Sequence, residues 1–335
     1  MNTHQTNHKK NLLIIGTLPN TSGIGGVTIH IQRLLEHLNK NKIKYTFVDY
    51  RTDNFINVLK AIANCHVVHI HISNIYYQLL LILVSRILFK KSIVTIHGNI
   101  GRYNKLRNGI TNVSIRFCSI LITLNSYSYE KGIIYNKNTK IIPAFIPPIK
   151  NDPLPLPIQA EVEEFKNMGY EMIFSTNAYA LSFDCNSNET YGITELLSLF
   201  EKIPKYGLIF SDPSYTYVRW LTENHTNVPP NVLIINGSHS FYEIIKISDA
   251  IIRNTSTDGD SLSVKEALFA GKKVICTDVV PRPEGCYIYP YKDTKSLEHI
   301  ITTIKHQKAE RKNYATIRNG ADDLISLYRF LLKDK

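Results

Sequence analysis

Hydrophobic residues recur along the first half of the chain in two alternating patterns. Short apolar runs rich in β-branched residues lie at 11–16, 44–49, 67–72, 92–96, 119–123 and 139–142. We predict β-strands there. Between the strands lie segments with helical spacing, such as 27–39, whose apolar positions are Ile31, Leu34, Leu35 and Leu38. Strands that alternate with helices of this length predict a doubly wound parallel sheet.

The same alternation returns after a stretch at 144–157 that contains five prolines. Because proline cannot continue a helix or a central strand, we interpret this stretch as a linker between two domains. Beyond it we predict strands at 171–175, 206–210, 232–236, 250–253 and 274–277, a helix at 192–203, and a last helix at 309–332 broken by Gly320. The predicted fold class is α/β, with two Rossmann-like domains whose sheets face each other across a cleft.

The composition is that of an ordinary globular protein, with 335 residues, 44% hydrophobic and 20% charged. The most apolar window, 76–89, contains Arg86 and is too short to span a bilayer. We predict a helix buried against a sheet, with a helix that dips into a membrane surface as the alternative. Five cysteines form no C-x-x-C pair and no signal peptide is visible, so we predict reduced thiols in a cytoplasmic protein.

Charge is distributed unevenly between the two halves. Residues 1–150 hold 19 Lys and Arg against four Asp and Glu, a net charge of +15, whereas 151–335 hold 20 against 24, a net charge of −4. A basic first half predicts an anionic partner, such as a phosphorylated lipid or the inner face of a membrane. A solvated basic surface is the plainer alternative. A nucleic acid fits poorly, because no nucleic-acid-binding motif is present.

The most informative segment is 253–284. Asp258 and Glu266 stand on either side of seven residues, in a loop that enters an apolar helix, and Gly271 and a β-branched strand follow. A helix N-terminus has free N–H groups and a positive dipole end, so it attracts phosphate. Carboxylates that can hold sugar hydroxyls beside such an N-terminus predict a site for a nucleotide-sugar.

This segment resembles the acidic-seven-Glu motif of retaining glycosyltransferases of the GT-B fold, in the family 4 group (glycosyl transferases group 1). The resemblance implies that Asp258 contacts the donor sugar and that Glu266 holds the ribose hydroxyls. It implies that the diphosphate lies against the loop residues Gly259, Asp260, Ser261 and Leu262. The first acidic residue is usually Glu, and the shorter Asp leaves the choice of sugar open. The implied domains are an acceptor domain at 1–147, with a helix at 318–335 crossing back to it, and a donor domain at 148–317.

Three further positions are implied by the resemblance. His97 ends a strand and precedes a glycine, where family members place a histidine that approaches the donor. Gly25 and Gly26 belong to a glycine-rich turn, 23–26, before a helix, and a plain strand–helix turn is an equally good interpretation. Asn236 and Gly237 end a strand where the family's nucleobase loop lies.

The chain departs from the family at the cationic residues that neutralise the diphosphate. The usual Arg is absent after the strand at 171–175, and the usual Lys-Gly pair is Tyr191-Gly192. A diphosphate leaving group still needs compensating charge. Arg253 is our candidate replacement, ahead of Lys265.

Metal binding was weighed at two places. Asp258 and Asp260 form a D-x-D triplet, which holds a divalent cation in another glycosyltransferase fold. Its position late in the chain favours metal independence. His69 and His71 share one face of a strand without a third ligand at a suitable spacing, so we interpret them as structural. We therefore expect no metal and no cofactor.

The sequence thus predicts a retaining, metal-independent glycosyltransferase that uses a nucleotide-sugar, with a UDP-sugar favoured. The resemblance implies a saccharide or lipid-diphosphate-linked acceptor, in surface polysaccharide or glycolipid assembly. A nucleotide-sugar epimerase of the same fold and a non-catalytic binding protein remain alternatives.

Overall fold

The chain divides into two compact units in the computed structural model, which describes residues 11–19, 25–150, 152–306 and 317–333. Within these ranges, the first unit holds residues up to Pro19, Gly26–Ile149 and the residues from Asn319 onward. The second unit holds Gly25 and Lys150–Arg318. Each unit is built around its own parallel sheet.

The sheet of the first unit has six parallel strands in the order β2-β1-β3-β4-β5-β6. Its strands are β1 (Leu12–Gly16), β2 (Tyr45–Asp49), β3 (Val67–Ile70), β4 (Lys91–Ile96), β5 (Ile120–Thr123) and β6 (Thr139–Ile141). Its helices are α1 (Gly26–Lys40), α2 (Phe55–Ala63), α3 (Ile75–Ile87), α4 (Lys105–Phe117), α5 (Ser126–Ile133) and α12 (Gly320–Leu332).

The second unit repeats this plan in the order β12-β11-β10-β7-β8-β9, again with parallel strands. Its strands are β7 (Ile173–Asn177), β8 (Gly207–Asp212), β9 (Val232–Asn236), β10 (Ala250–Arg253), β11 (Lys273–Thr277) and β12 (Cys286–Tyr289). Its helices are α6 (Leu156–Lys166), α7 (Ile193–Lys202), α8 (Thr216–Glu223), α9 (Phe241–Ile247), α10 (Leu262–Phe269) and α11 (Thr294–Thr303).

The central strands are buried along their whole length. All residues of β1, β3, β5 and β8 are buried. Burial on both faces is what the crossover helices of parallel sheets impose, and it explains why these strands are continuous apolar runs. The predicted fold class, two Rossmann-like α/β domains, is confirmed.

Each sheet reverses its strand order at one point. In the first unit the chain builds β2 on one side of β1 and then returns to place β3 on the other side. In the second unit, β8 and β9 lie on one side of β7 and β10 on the other. In open α/β sheets, ligands bind outside the carboxyl ends of the strands at such switch points.

The structure defines the ends of two predicted elements. The break predicted in the last helix is found at Gly320: Asn319 accepts a hydrogen bond from Ala321 N as the N-cap, and the helix begins at Gly320. Residues 307–316, which include the first part of the predicted helix, lie outside the described residues. The proline-rich stretch also ends earlier than predicted, because Leu156 and Pro157 form the first turn of α6, where proline's missing N–H costs nothing.

Helix α12 packs into the first unit. Leu324, Ile325 and Tyr328 are buried in the same apolar cluster as Leu12 and Ile14 of β1. Within the described residues, no helix is both long and apolar enough to cross a membrane.

The docking of α12 requires a glycine at its first position. The Gly320 N–H donates to the carbonyl of Phe145 at 2.8 Å. A Cβ on Gly320 would lie 2.2 Å from the carbonyl oxygen of Pro143 and 3.2 Å from that of Phe145. Because both obstacles are backbone atoms, no side-chain rotation can relieve the overlap.

We therefore expect Gly320→Ala to lower the free energy of unfolding of the first unit by about 2 kcal/mol. Gly109→Ala is the matched control, since Gly109 lies within α4 and an added Cβ meets no atom within 4 Å. It should raise stability by up to about 1 kcal/mol through helix propensity. Urea unfolding followed by circular dichroism would measure both. Equal midpoints for the two variants would contradict this account of α12.

Candidate functional site

Arg253 and Asp258 form a bidentate salt bridge at the switch point of the second unit, between β7 and β10. Arg253 is the last residue of β10, and Asp258 lies in the loop that follows. Arg253 Nε donates to Asp258 Oδ2 at 3.1 Å, and Nη2 donates to Oδ1 at 3.1 Å. Arg253 Nη1 also donates to the carbonyl of Asn177, the last residue of β7, at 3.4 Å. The bridge therefore ties the loop to the ends of both strands at the switch point.

Arg282, which the sequence prediction missed, completes a buried Arg–Asp–Arg cluster (Arg253, Asp258, Arg282). Its Nη1 donates to Asp258 Oδ2 at 2.7 Å. Its other nitrogens donate to the carbonyl of Thr277 and to the hydroxyls of Thr255 and Thr277. The side chain is only 2% exposed. Arg282 is thus held rigidly at the end of β11.

The cluster carries one net positive charge, because two guanidinium groups surround one carboxylate. Burial by itself would raise the pKa of Asp258, but Arg253 and Arg282 outweigh burial and lower it to about 2. Burial disfavours the charged form of Arg253, yet Asp258 raises the pKa of its guanidinium. Asp258 and Arg253 are therefore both ionised at neutral pH.

The Asp258 carboxylate is fully engaged. It accepts the three arginine N–H groups and also the N–H of Gly259 at 3.0 Å, which together occupy its four lone-pair positions. A direct bond to a sugar hydroxyl would require one of these bonds to break. That Asp258 contacts the donor sugar stays a prediction. The observed contacts give it a further role, which is to hold two arginines in place.

Helix α10 begins beside this cluster. Ser261 is its N-cap residue but makes no side-chain capping bond, and Leu262 opens the first turn. Asp260 pairs with Lys265 one turn along. An added Cβ on Gly259 would meet nothing within 4 Å. Glu266 lies on the buried side of α10 and is 5% exposed.

Tyr191 lies at the position where the resembling family carries a lysine. Tyr191 lies with its ring centre 5.1 Å from the Arg253 guanidinium, a cation–π contact. Gly192 has φ +53°, and a Cβ there would lie 2.5 Å from the Asn254 side chain. In place of a second cation, this chain therefore has an aromatic face against Arg253.

Asn236 ends β9 and Gly237 follows it. That their loop binds the nucleobase stays a prediction. Gly237 has φ +80°, and a Cβ on it would lie 3.1 Å from the hydroxyl of Tyr215. The backbone of Tyr215 lies in the left-handed region, with φ +62°, and the residue is 53% exposed. A strained, exposed aromatic ring beside a strand end is a feature that often marks a ligand site.

In the first unit, His97 joins other histidines near the carboxyl ends of β3 and β4. His97 follows β4, His71 follows β3, and the two share a hydrogen bond of 3.0 Å between His97 Nε2 and His71 Nδ1. His30, on α1, lies with its ring centre 5.1 Å from that of His97. Burial lowers the pKa of His97 and of His71, and lowers that of His30 to about 4, so these rings are neutral at pH 7.

The two glycines of the predicted turn show no steric need for glycine. A Cβ on Gly25 would contact the Tyr179 ring at an ordinary 3.8 Å, and one on Gly26 would meet nothing within 4 Å. Gly26 is the first residue of α1. The rest of this turn, Gly23 and Ile24, lies outside the described residues.

Two residues of these sites had escaped sequence reasoning. Arg282 lies 24 positions after Asp258, in a proline-flanked loop that carries no motif. His30 lies on a helix whose apolar spacing suggested only packing. The signal for Arg282 was indirect. Because the chain lacks the arginine and lysine that the resemblance implies, another cation was to be sought near Asp258.

Comparison with known proteins gave matches only among solved structures. No protein-family model matches the chain, and neither does any curated protein. HepE from Anabaena, solved with UDP-glucose, is 12% identical with a TM-score of 0.66, covering 96% of this chain and 98% of its own. Sucrose-phosphate synthase from Thermosynechococcus elongatus is 14% identical with a TM-score of 0.64, covering 96% and 99%.

A third solved structure, of a Listeria monocytogenes protein assigned as a UDP-N-acetylglucosamine 2-epimerase, is 12% identical with a TM-score of 0.60. It covers 97% of this chain and 98% of its own. At these identities the likeness establishes the fold. The chain has the GT-B fold, as its resemblance had implied, and GT-B glycosyltransferases are among its structural neighbours.

The Arg–Asp–Arg cluster predicts a stability effect. Asp258→Asn should lower the free energy of unfolding of the second unit by about 3 kcal/mol at pH 7, because it leaves two buried cations without their anion. The Asp258 pKa is depressed, so its contribution is complete above about pH 4 and is lost as the pH falls towards about 2. The loss caused by the substitution should therefore shrink over that range. Asp152→Asn, on an exposed residue of the same unit, is the control and should change stability by less than about 0.5 kcal/mol.

Proposed function

We propose that this protein is a retaining glycosyltransferase that transfers a sugar from a nucleotide-sugar, in the first place a UDP-sugar. The observation that carries the proposal is the Arg–Asp–Arg cluster at the switch point of the second unit, next to the start of α10. The GT-B fold and a neighbour solved with UDP-glucose support it.

The cluster suits a diphosphate in charge and in geometry. Three of the five N–H groups of Arg253 are used for Asp258 and Asn177, which leaves two for a ligand. The Arg253 side chain is 12% exposed, and we propose that a ligand reaches it from this exposed side. The first-turn N–H groups of α10, which lack a side-chain cap, add a second anion-binding feature. We propose that Arg253 replaces the family's cationic pair, with Asp258 and Arg282 fixing its position.

The departing diphosphate would then be neutralised by arginine. Asp258 is bonded to two arginines and Asp260 is paired with Lys265, so neither carboxylate of the D-x-D triplet is left to coordinate a cation without breaking an ion pair. Glu266 is proposed to hold the ribose, as the resemblance implies. In the family's front-face mechanism the leaving phosphate is the base, so no protein nucleophile is needed.

The acceptor is proposed to be a saccharide on a lipid diphosphate, and the protein to bind the cytoplasmic face of an anionic membrane through its first unit. From Asn54 to Tyr129 the chain has no acidic residue and eight Lys and Arg. The exposed side of α3 in this segment is apolar at helical spacing, with Tyr76, Leu80, Leu83 and Ile87 between 37% and 72% exposed. The helix lies against the sheet through its other side, as the buried-helix prediction expected, and we propose that its exposed apolar side contacts the membrane.

The end of α3 strengthens this proposal. Phe89 is 96% exposed, so its aromatic ring stands in water, and its backbone lies in the left-handed region with φ +54°. Arg86 and Lys91 are exposed on either side of it. Aromatic and basic residues together are the usual composition of a surface that inserts shallowly among anionic lipid headgroups.

An epimerase is the second candidate, since a structural neighbour is assigned that activity. It would use the same donor site, release or isomerise the sugar nucleotide without an acceptor, and show no need of the basic surface.

Donor binding tests the proposed function. We would titrate UDP- and GDP-sugars into the protein in EDTA by calorimetry, and follow release of free nucleotide with and without added acceptor. We expect one UDP-sugar to bind without metal, and Arg253→Ala to weaken it at least about tenfold, because a charge-assisted bond to the diphosphate is lost. Arg219→Ala, on an exposed arginine of the same unit, should bind as the parent does.

Each outcome assigns the protein to one candidate. Sugar transfer only with acceptor supports the transferase, whereas an altered sugar nucleotide without acceptor identifies the epimerase. Binding without any turnover identifies a binding protein. If no sugar nucleotide binds, the proposed function is wrong.

Membrane binding is a separate prediction. The double variant Lys90→Glu, Lys91→Glu should lower co-flotation with phosphatidylglycerol vesicles at least about tenfold at about 0.1 M salt, since each basic residue contributes about 1 kcal/mol. Lys202→Glu, Lys295→Glu changes the net charge equally in the second unit and should have little effect. Phe89→Ser should weaken binding at any salt concentration. Binding that is the same for all variants, or equal on neutral vesicles, would exclude this surface.

A further inference from the structure

Three histidines of the first unit, two of them buried and His97 partly buried, lie close together. His30, His71 and His97 form a histidine triad in which one nitrogen of each ring lies within 4.8 Å of those of the other two. Their ring centres are 5.3, 5.1 and 5.3 Å apart. The three residues come from α1, from the end of β3 and from the end of β4, so no local sequence pattern links them.

These separations match a three-histidine metal site. Imidazole nitrogen binds zinc at about 2.0–2.1 Å, and tetrahedral angles at the metal then put the ring centres about 5 Å apart. The observed triangle is nearly equilateral at that size. Binding one ion would require the rings to turn so that these three nitrogens point at it.

The hydrogen bonds of His30 point to the same use. Its Nδ1 lies 2.8 Å from the carbonyl oxygen of Ala144, which can only accept, so Nδ1 carries the proton and Nε2 carries the lone pair. Histidine ligands are usually held in this way, by a bond from the other ring nitrogen to a backbone carbonyl or carboxylate. Nε2 of His30 is buried and has no partner, and the same is true of Nε2 of His71.

Leaving two buried ring nitrogens unpaired is costly. A buried polar atom without a partner costs about 1–3 kcal/mol. Both residues are at most 2% exposed, so bulk water does not reach them. A ligand that accepts lone pairs would remove this cost, and a metal ion is such a ligand.

A fourth histidine, His69, packs against His71 of the triad but is not part of the triad. Its Nε2 bonds to the hydroxyl of Thr95 at 2.7 Å and its Nδ1 to the hydroxyl of Tyr328 at 2.5 Å, so both of its nitrogens are occupied. Its ring centre lies 4.0 Å from that of His71. Because Tyr328 belongs to α12, the C-terminal helix helps to set the position of His71.

A metal here would have one open position. Of the histidine, cysteine and acidic residues in the described ranges, only the triad forms such a group, and it contains no carboxylate. Three neutral ligands would leave the ion its full double charge. His97 also lines a pocket with Asn99, Arg102 and Tyr103, which gives an anion access to this side of the triad.

We propose that His30, His71 and His97 bind one first-row transition-metal dication, in the first place Zn²⁺, with the fourth position open to an anionic ligand such as a phosphate oxygen. Imidazole donors suit zinc, and three protein ligands with an open position are typical of zinc sites that act on a ligand. Metal binding needs no net loss of protons, because each neutral ring would bind through its unprotonated nitrogen, but the hydrogen bond between His71 Nδ1 and His97 Nε2 would have to break. The proposal replaces the expectation of a metal-free protein, and it would make His97 a metal ligand in place of a direct donor contact.

Direct metal binding tests this proposal without any sugar nucleotide. Protein freed of metal with a chelator would be titrated with Co²⁺, whose visible absorption is much stronger in tetrahedral than in octahedral sites, and Zn²⁺ would then be used to displace it. We expect one ion per chain and a tetrahedral spectrum. His30→Ala and His97→Ala should each weaken binding at least about tenfold and abolish that spectrum.

The control is His299→Ala, which removes an exposed histidine of the second unit and should bind Co²⁺ as the parent does. Circular dichroism without metal would show whether each variant folds, and His97, less buried than the other two, is the safer site to alter. Zn²⁺ should also raise the melting temperature of the parent but not of His97→Ala.

The proposal falls if the metal-free parent binds no Co²⁺ or Zn²⁺, or if both triad variants bind as the parent does, which would assign the ion to other histidines. Either result leaves the donor-binding experiment unaffected. Conversely, a protein that binds zinc through the triad but no sugar nucleotide would keep this inference and remove the proposed function.

Discussion

The dependence of parallel strands on crossover connections determines where this protein can place its chemistry. Each parallel strand must be followed by a return segment, so all carboxyl ends of a sheet, with the loops that leave them, lie on one edge. Reversal of the strand order then separates two neighbouring loops at one point of that edge. The Arg–Asp–Arg cluster lies at this point in the second unit. Within the first unit, the histidine triad lies at the ends of β3 and β4, next to that unit's own switch point.

The two clusters differ in charge: the Arg–Asp–Arg cluster contains buried ionised side chains, whereas the histidine triad contains neutral rings. In the second unit, three ionised side chains are buried together, and they tolerate burial because nearly every donor and acceptor is paired. In the first unit, the rings are neutral because burial lowers their pKa values, and two nitrogens remain unpaired. The first arrangement has a surplus positive charge suited to an anion. The second has surplus lone pairs suited to a cation.

The departures from the family motif become understandable in this setting. Where relatives are expected to carry a lysine, Tyr191 covers Arg253, and where an arginine is expected, Asn177 offers its carbonyl to the same Arg253. The buried arginines of this chain lie instead at the end of β10 and in the loop after β11. Asp258, one methylene shorter than the usual Glu, bonds to both arginines. The shorter side chain is consistent with a carboxylate that bonds to arginines of the same unit.

The sequence by itself determined what depends on neighbours along the chain. Short apolar runs and helical spacing predicted the strand–helix alternation, and five prolines marked the linker. Arg253 and Asp258, five residues apart, could be placed on one strand end and its loop. It could not determine contacts between distant segments, because side-chain periodicity says which face is buried and not what lies against it. Only the tertiary structure brought Arg282 to Asp258, His30 to His71 and His97, and Tyr328 to His69 across 259 positions. These contacts follow from sheet order and helix packing, which are set by the burial of both sheet faces as a whole.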